Sequence, residues 1–406
     1  MGRSRLETTA VGSAGEAVRG SRPGARWRGL LGNAALLATS AVVFLVLAEM
    51  FLRTFPGFLG EEAALRVHWA AIAGDTDSEG RALMLDDPEI GFLYKPGLEG
   101  RLARGDLDFS FRLDGRGFRN PEPWPERVGA VLLGDSMAFG YGASDGSDWP
   151  SLLRARLPSV GIVNLALIGS GPLQQAKIFE RYGRALGAPV VVHVLFPGND
   201  MADDAAFSRW LQSDRRISYR KFRGQGDRWL DDSVLGWAQR THLFWFTIDL
   251  VRTVKRTARG HTLTLEDGTR LRLVAPRTER IDPVELDRTL GAVEHVRSEV
   301  ERVGGRFFVV LMPTKEDVYL PLAGVAVPNS SAAVREQLER RGVPLLDLGE
   351  ILRAEASPRG PALYFEVDGH PNLKGQAIIA EAVAAWLEDV ALQAGSARAT
   401  DADQNG

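Results

Sequence analysis

From about residue 128 onward the sequence predicts an α/β fold, a parallel sheet covered by helices on both faces. Two observations predict it. First, apolar runs of strand length recur at 129–133, 161–167, 189–196, 306–312 and 343–348. Such runs read as strands buried on both sides. Second, stretches with helical spacing separate them, at 149–157, 172–186, about 283–303, about 330–341 and after Asn372. Strands alternating with helices in this way build parallel sheets, whose ligand sites lie beyond the carboxyl ends of the strands.

The segments before the sheet are of another kind. Residues 1–27 are rich in Gly, Ser, Arg and Ala without apolar periodicity, and the expectation is a disordered, cytoplasmic tail. Leu30 to Ala48 carries no charge and has roughly the length that spans a bilayer as a helix. Arg3, Arg5, Arg19, Arg22, Arg26 and Arg28 precede it and outweigh Glu7 and Glu16. The positive-inside rule then gives a single-pass anchor over 28–52, with everything after Phe51 outside the cytoplasm. A cleavable signal peptide ending at Val46-Leu47-Ala48 is the rival reading, although the tail and the apolar run are long for one. Residues 54–127 hold turn signals and aromatics, with Phe109, Phe111 and Leu113 alternating as in a half-buried strand, so a short β-rich lead-in is expected.

Within the sheet domain, 128–392, the alternation stops between about 201 and 282. Trp210, Trp229, Trp237, Phe244, Trp245 and Phe246 crowd that stretch. It reads as an insertion, either an aromatic subdomain core or a surface that binds substrate. Residues 393–406 are small and polar and are expected to fray.

Composition excludes several function classes. The chain has 406 residues, 49 Lys and Arg against 52 Asp and Glu, and a net charge of −3, which gives no reason to expect nucleic acid as a partner. With no cysteine there is no thiol nucleophile, disulfide or cysteine metal site. There is no metal-ligand set and no Gly-rich phosphate loop, so no cofactor and no metal are expected.

Four segments carry chemistry, in chain order: Gly134-Asp135-Ser136, Asn164 with Gly169, Gly198-Asn199-Asp200, and Asp368-Gly369-His370-Pro371-Asn372. Ser136 ends an apolar run and opens a helix, where its backbone N–H has no intrahelical acceptor. It can attack while that N–H serves a developing oxyanion. Alone, a serine there is an N-cap. Gly169, in a Gly-Ser-Gly cluster before Pro172, is a turn glycine or a close backbone approach to a ligand. Asn199 is a neutral amide donor or a turn residue. In the last segment, Pro371 biases His370 to extended backbone, where residues two apart share a side. Asp368 can then hold one ring nitrogen of His370 while the other meets Ser136, the arrangement of serine catalysis. Glu366 is the alternative orienter. Asp135 is read as holding the turn, His193 as a core histidine and Asn372 as the cap of the last helix.

In this order, the four segments resemble the SGNH (GDSL-type) hydrolase superfamily. The resemblance runs from about Ala130 to Val390 and is weakest across the insertion. It implies a flavodoxin-like three-layer sandwich, with catalytic residues Ser136, His370 and Asp368 and an oxyanion hole formed by Ser136, Gly169 and Asn199. Two departures stand. Pro197 occupies a position where the superfamily usually has glycine, and Val367 one where many members have the aspartate. The two-residue Asp368–His370 spacing resembles the membrane-anchored branch that includes alginate and exopolysaccharide O-acetylation proteins. So does the lead-in, with Asp87-Pro-Glu-Ile-Gly91, Lys95-Pro-Gly97 and Gly117-Phe-Arg119. It implies an extracytoplasmic enzyme acting on acyl esters of a glycan, by hydrolysis or by O-acetyl transfer, with a multispanning acyltransferase as a partner. A general carboxylesterase or lipase, and a non-catalytic glycan-binding scaffold, are the alternatives.

Overall fold

The structure is a computed structural model that describes residues 23–55, 58, 84–104, 106–225, 241–257, 261–273, 281–326 and 330–404. It divides into two compact units, Met1–Phe58 and Leu59–Gly406.

Among its described residues the first unit holds one long helix, Pro23–Thr54. It begins within the stretch read as a tail, since no residue there breaks a helix once Pro23 has opened it. Within it, Gly32–Thr54 is long and apolar enough to cross a membrane, a test that a signal sequence also passes. Leu37 and Phe44 are each about 70% exposed (72% and 69%), so this helix presents its apolar side chains outward. The disorder expected over residues 1–22 lies outside the described residues.

The second unit opens with two antiparallel hairpins, β1 (Met84–Asp87) with β2 (Gly91–Tyr94), and β3 (Glu99–Arg104) with β4 (Leu107–Arg112). The parallel sheet follows with β5 (Ala130–Leu133), β6 (Ile162–Asn164) and β7 (Val190–Leu195). A short antiparallel hairpin, β8 (His261–Thr264) with β9 (Arg270–Leu273), comes next in the chain. Then β10 (Arg306–Leu311) and β11 (Leu345–Asp347) complete the sheet, whose five strands lie in spatial order β11-β10-β7-β5-β6. Counted within the sheet this is the 2-1-3-4-5 order of flavodoxin-like folds, whose switch point lies between β5 and β7. The predicted sheet is therefore the observed one. Its strands are buried where their sequences are continuously apolar, Ala130 to Leu133 and Phe307 to Leu311 among them.

The stretch read as an insertion starts inside the sandwich. The helix Asp200–Gln212 directly follows β7, and its Asp204 is fully buried. One Asp204 carboxylate oxygen accepts from Leu173 N–H at 2.8 Å and the other from Thr289 Oγ–H at 2.8 Å, so this helix is stitched to two neighbours in the helical layer. Trp210 packs on Phe207 and Tyr219, with ring centroids 5.6 and 5.4 Å apart, and is core. Trp229 and Trp237 lie outside the described residues. At the other end of the chain the helix Leu373–Gln404 runs through the predicted frayed tail. Alanines at 391, 394, 397 and 399 favour helix, and a lone Gly395 costs only about 1 kcal/mol.

Burial pushes the Asp204 carboxyl up to about 7, against the pull of Leu173 N–H and Thr289, and pushes Asp203 up to about 6 against the pull of Arg223. A carboxyl whose pKa rises on folding keeps its proton longer in the folded state. Its contribution to stability therefore falls as pH rises from the ordinary carboxylate range to about 7. Asp204→Asn can still accept Leu173 N–H on its oxygen and donate its amide N–H to Thr289 Oγ, and it cannot ionise. Melts of the detergent-solubilised chain at about pH 5 and pH 8 should show the wild type losing more stability at the higher pH than the variant, by on the order of a few kcal/mol. Equal losses would exclude Asp204 as the titrating group.

Candidate active site

The site forms where β5 ends. Gly134, at φ +153°, has no room for a side chain: a Cβ would lie 2.6 Å from the Ala138 Cβ and 3.1 Å from Val194. The backbone therefore turns at once into the short helix Ser136–Phe139. Asp135 caps it, its carboxylate accepting Met137 N–H at 2.9 Å. At the other end, the guanidinium of buried Arg119 donates to the carbonyls of Phe139 (3.2 Å), Gly140 (3.1 Å) and Ala143 (2.8 Å). Phe109 of β4 meets Tyr141 edge to face at 4.9 Å, and Phe111 meets Phe139 at 5.5 Å. The lead-in thus packs directly on the serine segment.

His370 arrives from the far end of the chain. Its Nε2 lies 2.8 Å from Ser136 Oγ, and its Nδ1 lies 2.6 Å from Asp368 Oδ1. An ionised carboxylate only accepts, so Nδ1 carries the proton and Nε2 is left to accept from the serine hydroxyl. The same Asp368 oxygen accepts His370 N–H at 2.9 Å, fixing the two-residue turn. Burial raises the Asp368 carboxyl, but the bonds from His370 and the nearby Lys315 charge outweigh it and hold it below the usual carboxylate range. Glu366 is exposed, and its backbone carbonyl is engaged instead, accepting Arg272 N–H at 2.8 Å. Asp368 is the acid that meets the histidine.

Of the two remaining predicted residues, Asn199 follows β7 and its Nδ2 donates to Asp135 Oδ2 at 3.0 Å, next to Ser136 in the chain. Burial raises the Asp135 carboxyl, opposed by Met137 N–H, Asn199 and His370. Gly169 lies in the loop after β6 at φ +72°, a left-handed conformation that favours glycine, and its carbonyl accepts from the Arg223 guanidinium, which also pairs with Asp203. Asn164 ties this loop back to the serine helix, its Nδ2 donating to Ala138 O at 2.8 Å.

Elsewhere, His193 is fully buried, with Nε2 2.5 Å from Gln175 Oε1 and Nδ1 unpartnered, and burial pushes it down to about 3. It is a neutral core histidine. Asn372 Oδ1 accepts Lys374 N–H at 3.0 Å and Gly375 N–H at 3.2 Å at the start of the last helix. Among the described residues, no group of three or more His, Asp or Glu side chains converges as a metal site would need.

Sequence reasoning passes over several residues around the site. Tyr141 packs at a tilt against His370, with ring centroids 4.5 Å apart and planes at 40°. Arg119 stands in the Gly117-Phe-Arg119 signature without a role. Arg223 is one of several arginines in a basic run, and nothing local distinguishes it.

A model of the GDSL-like Lipase/Acylhydrolase family matches residues 132–378. The chain belongs to that family. GDSL-like acylhydrolases are esterases, so this is an enzyme of the acyl-ester hydrolase class. A search of curated proteins returns no match. Among solved structures, a putative lipolytic protein of the G-D-S-L family from Desulfitobacterium hafniense DCB-2 is 13% identical, with 63% of this chain and 97% of that chain covered and a TM-score of 0.35. The acetyl xylan esterase AlAXEase is 12% identical (63% and 97% covered, TM-score 0.34). The lipase/acylhydrolase from Enterococcus faecalis is 11% identical (64% and 95% covered, TM-score 0.34).

Proposed function

We propose that this GDSL-like acylhydrolase is a membrane-anchored serine enzyme that transfers or removes O-acetyl groups on a glycan outside the cytoplasm, through an acyl-Ser136 intermediate. The observation that carries the reading is the unbroken chain Asp368–His370–Ser136, with links of 2.6 and 2.8 Å. Ser136 Oγ attacks the ester carbonyl as its proton passes to His370 Nε2. The electron pair moves to the carbonyl oxygen, where the N–H groups of Ser136 and Gly169 and the second N–H of the Asn199 amide stabilise it. Collapse expels the alcohol, which takes the proton back from His370. Water or a sugar hydroxyl, deprotonated by His370, then attacks the acyl-serine, and as the acyl–oxygen bond breaks His370 returns that proton to Ser136 Oγ, releasing acetate or an acetylated sugar. Asp368 stays ionised and holds the imidazolium.

Two features favour a glycan. An open groove of about 550 Å³ borders the His370 segment, lined by Asp106, Thr269, Phe365, Glu366 and Lys374 among others, which offer hydroxyl-bonding groups and an aromatic face. The membrane-length stretch Gly32–Thr54, behind an arginine-rich tail, suits an anchor that leaves the domain outside, where a multispanning acyltransferase would supply acyl groups.

The test is to incubate the detergent-solubilised chain with p-nitrophenyl acetate and acetylatable oligosaccharides and to weigh the sugars by mass spectrometry, with Ser136→Ala alongside. Ser136-dependent acetylation of sugar is the expected result. Release of acetate alone would make it a carboxylesterase. No turnover by folded protein would leave the scaffold reading.

A further inference from the structure

Lys315 is only 2% exposed, an unusual place for an ammonium. It opens the short helix Lys315–Tyr319 after β10, and its Nζ is placed to donate to the carbonyl oxygens of Phe365 (3.2 Å), Glu366 (3.2 Å), Val367 (3.2 Å) and Asp368 (3.0 Å). An ammonium has three N–H donors, so four carbonyls share it. Four consecutive carbonyls point at one atom only if the backbone curls around that atom. Crowding their dipoles together without a cation would be costly, and the charge is what offsets it.

The curled segment is the one that carries the acid and base. Its last carbonyl belongs to Asp368 itself. Asp368 is therefore tethered twice, by its main chain to Lys315 and by its carboxylate to His370. Other bonds seat the segment on the same helix and on the residues that lead into it: Leu363 N–H donates to Tyr319 Oη at 2.8 Å, and Tyr364 Oη–H to Pro313 O at 3.1 Å. These hold residues 363 and 364, at the start of the segment. Within 365–368, Arg272 N–H also reaches the Glu366 carbonyl (2.8 Å) and Phe365 N–H the His370 carbonyl (3.2 Å), but the ammonium is the group that meets all four carbonyls at once. Asp106 accepts Val367 N–H at 2.8 Å.

We propose that Lys315 is a positioning residue for the esterase reaction, holding the 365–368 backbone so that His370 meets Asp368 and Ser136 at once. The proposal rests on the reading of Ser136 as nucleophile. Two short hydrogen bonds to one imidazole leave little tolerance, and a displacement of about 1 Å can cost about 100-fold in rate.

The experiment compares wild type, Lys315→Met, Lys315→Arg and Ser136→Ala as full chains in detergent. Lys315→Met should lower kcat for p-nitrophenyl acetate about 100-fold with KM within about twofold, because substrate binding is not what the lysine serves. Hydrogen exchange should quicken over 363–372 while β5, β7 and β10 stay protected. Lys315→Arg, which keeps a cation and its donors, should recover part of the lost kcat. A folded Lys315→Met with unchanged kcat would overturn the proposal, as would exchange that quickens throughout the sheet, which would mark Lys315 as a residue of general stability. Turnover that survives Ser136→Ala would sink the nucleophile assignment instead. Turnover that dies with Ser136→Ala but survives Lys315→Met would sink the positioning role alone.

Discussion

Ser136→Ala and His370→Ala are each expected to lower kcat for p-nitrophenyl acetate by about 10⁴ or more while leaving KM within a few-fold. Both changes remove groups that act on the reacting atoms, and neither removes a group that binds the leaving alcohol. The hydroxyl is the attacking atom, and the imidazole 2.8 Å away is the group able to take its proton. Because the two act as one unit, the double variant should be no worse than either single one. Asp368→Asn should cost about 10²–10⁴, since an amide nitrogen facing Nδ1 would donate where the ring needs an acceptor, favouring the wrong tautomer. The pH dependence has a definite sign. The Asp368 carboxyl lies below its ordinary range, so its charge is present at and above that range and is lost only as pH falls further, through the depressed folded value. Activity should therefore not decline on account of Asp368 between neutrality and the usual carboxylate range. Steady-state rates for the three variants, and a wild-type profile, check these statements. A loss below tenfold in a folded His370→Ala would remove the histidine from the mechanism.

The serine, histidine and aspartate were legible in the sequence because each obeys a local rule. Ser136 ends an apolar run, and Asp368 stands two residues before His370, within reach of its ring, although the backbone there turns on the Asp368 carboxylate instead of running extended. Local rules of this kind do not reach across the fold. Arg119 is 20 residues from Phe139 and Lys315 is 53 from Asp368, and both act on backbone carbonyls, which leave no mark in a sequence. The same limit applies to where the insertion begins. The helix Asp200–Gln212 belongs to the sandwich because Asp204 reaches Leu173 and Thr289. Its acidic first turn concealed that from any apolar-period reading. At the tails the difference runs the other way: residues 23–27 and 393–404 lie in helices, where alanine-rich sequence without apolar periodicity still favours helix.

Arg119→Met is expected to destabilise the sheet domain by about 3–5 kcal/mol, the range for removing one partner of a buried charged network. The guanidinium is buried (side chain 4% exposed), sits 3.5 Å from the buried carboxylate of Asp148, and is stacked 5.0 Å from the Phe139 ring centre. Methionine fills much of the same space but donates nothing. The carbonyls of Phe139, Gly140 and Ala143 would then face an apolar stem, and the Asp148 charge would lose its cation while keeping its bonds to Ser151. At about 2–4 °C per kcal/mol for a domain of this size, the melting temperature should fall by roughly 10 °C. Arg101→Met supplies the contrast. Arg101 pairs bidentately with Asp108 at 2.8 Å, yet both side chains are more than half exposed, so water replaces what is lost and the melt should not move measurably. Burial decides the difference, not the number of bonds. Two arginines of the same lead-in, each with carboxylate partners, differ because one holds the end of the Ser136 helix away from water. If both variants melted within about 2 °C of wild type, Arg119 would be no more than a surface-like pair, and the aromatic contacts of Tyr94, Phe109 and Phe111 would carry the packing of the lead-in on the serine segment.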